Sequence, residues 1–258
     1  PATPRLCRMA EMLSGTSFVP RFLASGVVGG RALVLTESPG ARTLARLIGE
    51  AAGGALAVPL GKSLPLLADL LRGLAAVEDL GMVSCDLSEE NIYTSEGDTC
   101  AVVADLSSTY PLGDLPHLSS ADALRGSAFR QAPEMRYGLP TRAANGVWQL
   151  GLVFARMLFG GDVPTAAEAK EWSVVEFDDA TPEGRALIRQ FVREHFDIRD
   201  APGFRRLSEG YADVLRVLTG MLEKDPDRRL AARAALQKVT DVARLRGIAL
   251  HPPRSRAA

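Results

Sequence analysis

VSCDLSEENI, Val83 to Ile92, followed by CAVVADLS, Cys100 to Ser107, brings Asp86, Asn91 and Asp105 into one short span of chain. Two carboxylates and a carboxamide are hard oxygen donors, suited to a base and to a magnesium-type cation. Ile92 to Ala104 reads as two strands around the turn Ser95 to Asp98, which puts Asp86 and Asn91 on the loop before the hairpin and Asp105 at its exit. That arrangement gathers the three oxygens. A single Asp in such a place is usually a loop cap or a strand end; the set at this spacing points to phosphoryl-transfer chemistry.

The rest of the chain supplies a core for this segment to sit on. With 258 residues, 47% of them hydrophobic, it is long enough for one large domain or two closely packed lobes. Lys and Arg number 30 against 31 Asp and Glu, so no bulk positive field argues for nucleic acid as a partner. Lysine is confined to Lys62, Lys170, Lys224 and Lys238, which leaves few candidates for lysine-dependent chemistry. The longest apolar stretches, Leu64 to Val83 and Val147 to Phe159, are interrupted by Pro65, Asp69, Arg72, Glu78 and Arg156, and charges of this kind are costly in a lipid-spanning helix. The opening Pro-Ala-Thr-Pro carries neither an initiator Met nor a signal peptide and reads as a processed or excised start. Cys7, Cys85 and Cys100 have no metal spacing and read as buried free thiols, with one disulfide as the alternative. His117, His195 and His251 are scattered and form no zinc pattern.

Apolar spacing predicts a helix over Pro4 to Leu13, then a hairpin of Val27-Val28 and Ala32 to Leu35 around Gly29-Gly30. A short helix is expected from Arg42 to Ile48, and Gly49 to Pro59 reads as a small-residue connector. A longer helix follows, capped by Ser63, with Pro65 in its first turn and Leu67, Leu70, Leu71, Leu74 and Val77 on its buried face. After Asp105 a polar loop runs to Arg130, and QAPE occupies Gln131 to Glu134. A strongly apolar helix spans Gly146 to Phe159, and Thr181 to Phe196, Glu209 to Glu223 and Ala231 to Arg246 carry helical periodicity. The Arg- and Pro-rich tail from His251 is expected to fray.

In this order the segments resemble the larger, C-terminal lobe of protein kinases, from about Leu13 to Arg246. SCDLSEEN stands where that family has HRDLxxxN, ADLS where it has DFG, GSAFRQAPE where it has a Gly-Thr turn and APE, VWQLG in the long buried helix, and DPDRRL where it has DPxxR. The resemblance implies an α+β, protein kinase-like fold: a mostly helical large lobe, residues 41–250, a reduced small lobe lacking the Gly-rich-loop strands, residues 1–40, and a tail, residues 251–258. It also implies that Asp86 is the base-like catalytic residue, that Asn91 and Asp105 are metal ligands if Mg-ATP binds, and that Glu134 pairs with Arg229 to anchor the activation segment.

Several family features are altered. No GxGxxG occurs, and Lys62, the only lysine before Asp86, precedes the long helix instead of lying on a small-lobe strand. Leu6 and Cys7 stand near the place of that lysine's glutamate partner, with Glu11 about a turn too late. Ser84 and Cys85 replace His and Arg before Asp86, Ser107 replaces the DFG glycine, and Gly146 stands where the buried helix usually begins with a bracing Asp. The chain is similar in this to a divergent group of secreted apicomplexan parasite kinases without the Gly-rich loop. That resemblance implies a pseudokinase, acting as a protein-binding scaffold or regulator with no cofactor, secreted to a parasitophorous vacuole or cyst wall near a membrane. The alternative is an active atypical Ser/Thr kinase using Mg and ATP, in which Arg42 or Arg46 supplies the missing phosphate contact. A third expectation, membrane association through Arg244, Arg246, Arg254 and Arg256, competes with a solvated helix face and tail.

Overall fold

The structure is a computed structural model that describes residues 10–13, 16, 18–29, 31–51, 55–84, 86–105, 108–112, 130–134, 144–161, 181, 183–184, 187, 190 and 193–252. The expectations for residues 4–9, Cys7, Cys85, Ser107, Lys170, Arg254 and Arg256 lie outside them, as does most of the expected Thr181–Phe196 helix.

Among the described residues the order begins with β1 (Phe22–Val28) and β2 (Arg31–Thr36), then β3 (Arg42–Thr43), α1 (Leu44–Glu50) and α2 (Leu60–Asp79). Next come β4 (Met82–Ser84), β5 (Ile92–Thr94), β6 (Ala101–Val103), β7 (Thr109–Pro111) and α3 (Ala144–Phe159). A 3-10 turn (Ile198–Asp200) leads into α4 (Pro202–Leu207), α5 (Ala212–Met221) and α6 (Ala232–Leu245). The mixture is α+β and compatible with a kinase-like fold.

The first hairpin forms as its turn residues predict. Val28 pairs with Arg31 across Gly29, whose φ of 57° is readily adopted only without a Cβ. The second hairpin joins β5 to β6, with Ile92 opposite Val103, and β3 adds to its edge through Thr43 opposite Tyr93. Arg42 and Thr43 are therefore strand, and the short helix begins two residues later than its apolar spacing suggests. The Thr43 hydroxyl explains the shift, because it caps the helix by accepting from the Arg46 N–H.

The long helix also departs from expectation. It starts at Leu60, and Ser63 is not its cap but a fully buried interior residue. No side chain caps it; the preceding strap is instead bound to the end of α3, with Ala57 N donating to Leu158 O at 3.0 Å and Val58 N to Met157 O at 2.7 Å. Pro65 falls past the first turn, so one intrahelical bond is forgone and tertiary packing compensates. The region after Asp105, read as loop, contains β7, which pairs antiparallel with β4, Val83 opposite Tyr110.

The core lies where α2, α3, α5 and α6 meet. Leu67, Leu71, Leu74, Trp148, Phe154, Leu218 and Val239 are all inaccessible to solvent or nearly so. Burying such side chains contributes about 1.5–3 kcal/mol each, and α3 is so enclosed that every residue but Ala144 and Arg156 is buried.

Glu78, near the end of α2, is half-buried, and burial together with neighbouring Asp79 pushes its carboxyl up to about 7. Between the ordinary glutamate pKa and that value the folded chain holds a proton that the unfolded chain has lost, so stability falls as pH rises through the window. Glu78→Gln is expected to be more stable than the parent by about 1–2 kcal/mol at pH 8, after allowance for solvent screening, and equal to it near pH 5. Urea unfolding at the two pH values measures this; a difference independent of pH refutes it.

Candidate functional site

The loop that carries Asp86 leaves β4 and is held from below by α3. Asn145 Nδ2 donates to Ser84 O at 3.3 Å, while Asn145 Oδ1 accepts from Ala132 N at 3.2 Å. One turn further on, Gln149 Oε1 accepts from Leu87 N at 3.1 Å. Both amides are buried on one face of α3, four residues apart, so they reach the same loop. The brace expected of an Asp at position 146 is thus supplied from 145 and 149. Gly146 itself is closely packed: a Cβ there would lie 2.8 Å from Leu74 Cδ1.

From that braced loop the three oxygen-bearing residues converge. Asn91 Nδ2 lies 3.4 Å from both the backbone O and Oδ2 of Asp86, at the long end of hydrogen bonding. Ala104 N donates to Asn91 O at 2.9 Å, which sets the exposed Asp105 beside them. Burial raises the Asp86 carboxyl above its usual range and the Asp105 charge adds to the rise, while Arg130 opposes it. Asn91 Oδ1 and the Asp105 carboxylate suit a hard divalent ion that keeps most of its water. No group of three or more His, Cys, Asp or Glu suited to a metal occurs among the described residues.

Glu89, two residues beyond Leu87, is 1% exposed and is clasped by two arginines. Arg130, just before the QAPE segment, hydrogen-bonds Glu89 Oε2 and also reaches Glu90 Oε2 at 3.3 Å. Arg156 of α3 places Nε 2.6 Å from Glu89 Oε1, a contact that is ionic without hydrogen-bond geometry. Burial pushes the Glu89 carboxyl up, but hydrogen bonding and charge from Arg130, with Arg156 adding, more than offset this and hold it below the usual range. The carbonyl of Glu89 also accepts from Ala45 N at 2.9 Å, so α1 docks on the same loop.

The cations expected to replace a phosphate lysine are already engaged. Arg42 grips Asp98 through Nε and a terminal nitrogen, at 3.0 and 2.5 Å, and pairs with Glu50 as well. Arg46 pairs with Glu50 at 2.6 Å, and Lys62 with Asp98 at 2.7 Å. Asp98, with φ of 56° in the hairpin turn, also accepts from the Thr94 hydroxyl, and the Arg42 hydrogen bonds foremost hold its carboxyl far below the carboxylate range. These side chains tie β3, α1, α2 and the β5–β6 turn together.

Glu134 and Arg229 form a two-pronged ion pair, at 2.6 and 2.9 Å, as the motif resemblance implies. Arg229 is fully enclosed and its other N–H groups reach Glu223 O, Ala144 O and Lys224 O, while its guanidinium lies 5.1 Å from the centre of the Trp148 ring. Of the arginines expected at a membrane, Arg244 pairs with Asp241 and Arg246 with Asp213. No described helix is long and apolar enough to cross a membrane.

Asn145, Gln149, Glu89, Arg130 and Arg156 were not foreseen as site residues. One signal was available: Arg156 is the one charged residue of α3 and is only partly exposed, so a carboxylate partner beside it is expected.

No family model matches the chain. It is similar to serine/threonine-protein kinase pkn2 of Myxococcus xanthus, 25% identical over 190 residues that cover 67% of this chain and 19% of that protein. The chain thus spans about a fifth of that relative's length. This distant similarity supports a kinase-like domain.

Proposed function

We propose that the chain is a kinase-like domain that works by binding other proteins, with phosphoryl transfer impaired. One observation carries this: among the described residues, the cations around the loop and hairpin, Arg42, Arg46, Lys62, Arg130 and Arg156, are all committed to carboxylates of the fold. Lys224 lies in the turn between α5 and α6, against the Arg193 carbonyl, and Lys238 lies on α6. The oxygens that would hold a metal are present, but the positive charge that the described residues bring near them is spent within the fold, and phosphoryl transfer depends on preorganised positive charge. Ser84 in place of the motif's His points the same way.

A second reading, an ATP-dependent Ser/Thr kinase acting through Asp86, Asn91 and Asp105, is favoured by the convergence of those three residues on a well-braced loop. Isothermal titration with Mg-ATP separates the two. The protein-binding reading expects no affinity tighter than about 1 mM; micromolar binding, abolished by Asp105→Ala, would overturn it. A vacuolar or cyst-wall address rests on the motif resemblance alone, and the relative described above is bacterial.

A further inference from the structure

In the helical core, a groove of about 520 Å³ opens between the Phe196–Arg199 segment, α5 and α6. Its floor is apolar: Phe196 and Leu222 are buried there and Leu230 is half-buried. Its walls are cationic. Arg199 is neutralised by Asp197, through contacts of 2.6 to 3.0 Å, which leaves Arg216, Lys224 and Lys238 along the lining against the single carboxylate of Glu223. Arg216 and Lys238 are exposed and enter no ion pair among the described residues. They stand on two different helices, Arg216 on α5 and Lys238 on α6.

We infer that this groove docks an acidic segment of a partner protein, with one apolar side chain seated on the Phe196–Leu222–Leu230 floor. Charge complementarity selects the occupant. Two unpaired cations on separate helices match carboxylates spaced along an extended peptide better than one compact anion, and an apolar floor needs a side chain that a free phosphate lacks. The groove is remote in sequence from the Asp86 loop. The inference deepens the protein-binding reading, and its failure is separable: Mg-ATP titration tests impaired transfer, whereas peptide binding tests the groove.

The probe is a short fluorescein-labelled peptide of Asp and Glu around one central Phe, titrated by anisotropy into the full chain. Saturable binding is expected, weakened on the order of tenfold or more by the double variant Arg216→Glu, Lys238→Glu and weakened again by raising salt. Both positions are exposed, and an unchanged thermal midpoint shows that the variant folds. Replacing the central Phe by Ser is expected to cost roughly another tenfold. The inference is overturned by no saturation, by equal binding to the folded double variant, by equal binding of a Lys-substituted peptide, or by equal binding of the Ser peptide. Displacement by inorganic phosphate at peptide-like concentrations, or selective binding of anionic vesicles through the same two residues, likewise overturns it in favour of a simple anion or a membrane surface.

Discussion

Glu134→Ala is expected to destabilise the fold by about 3–5 kcal/mol, because it leaves the enclosed Arg229 charge without its carboxylate. Arg229 keeps three backbone carbonyls, which orient it but carry no full charge to balance it. For a domain of this size the thermal midpoint is expected to fall on the order of 10 °C. Glu134→Gln keeps an acceptor at the right place and should lose less, which separates the charge from the hydrogen bonds. Replacing both partners with apolar residues should recover part of the loss, since the desolvated charge is then absent altogether. Thermal and urea unfolding of the three variants measure this; a loss below about 1 kcal/mol for Glu134→Ala refutes it.

Glu89→Ala is the second large effect, with an expected loss of about 2–4 kcal/mol and a specific local consequence. Arg130 and Arg156 then face each other's charge without the carboxylate between them, and among the described residues Arg130 keeps the ion pair with Glu90 at 3.3 Å. Arg130 is released from the Asp86 loop, so limited trypsin digestion should cut after Arg130 faster than in the parent. The pH dependence follows from the lowered Glu89 pKa: the cluster's contribution is complete above the ordinary glutamate pKa and disappears as pH falls through the lower folded value. The Ala variant should therefore differ from the parent at pH 7 and converge with it in acid. An unchanged cleavage rate after Arg130 would show that the clasp does not hold this segment.

Much of the architecture could be read from the residues alone. Gly29-Gly30 marked the first hairpin, the apolar period of Leu67 to Val77 marked α2, and motif order paired Glu134 with Arg229 across a separation no local pattern spans. Other features could not be read locally, for physical reasons. The β4 and β7 strands are three residues each, too short to show alternation, and they pair only because the intervening hairpin folds back. Ser63 has the chemistry of a cap, but the strap bound to α3 starts the helix a turn earlier. Glu89 stands beside Glu90 with no local sign of burial, and its partners are two arginines distant in sequence. Asn145 stands just before the helix expected from Gly146 and Gln149 within it, and no local pattern marks either, because the loop they hold lies about 60 residues away in sequence.

The choice of amides at those two positions carries a consequence for the conditions under which the loop keeps its shape. A carboxylate brace is a titrating group, and what it holds loosens in acid. Asn145 and Gln149 bear no charge and have no proton to gain over the ordinary range. Their buried neutral contacts are also beyond the reach of counterions. The Asp86 loop is thus anchored at its base by an acid- and salt-indifferent joint, while the Glu89 clasp on its outer side responds to acid. Acid below the ordinary glutamate range loosens the cover and leaves the seat intact.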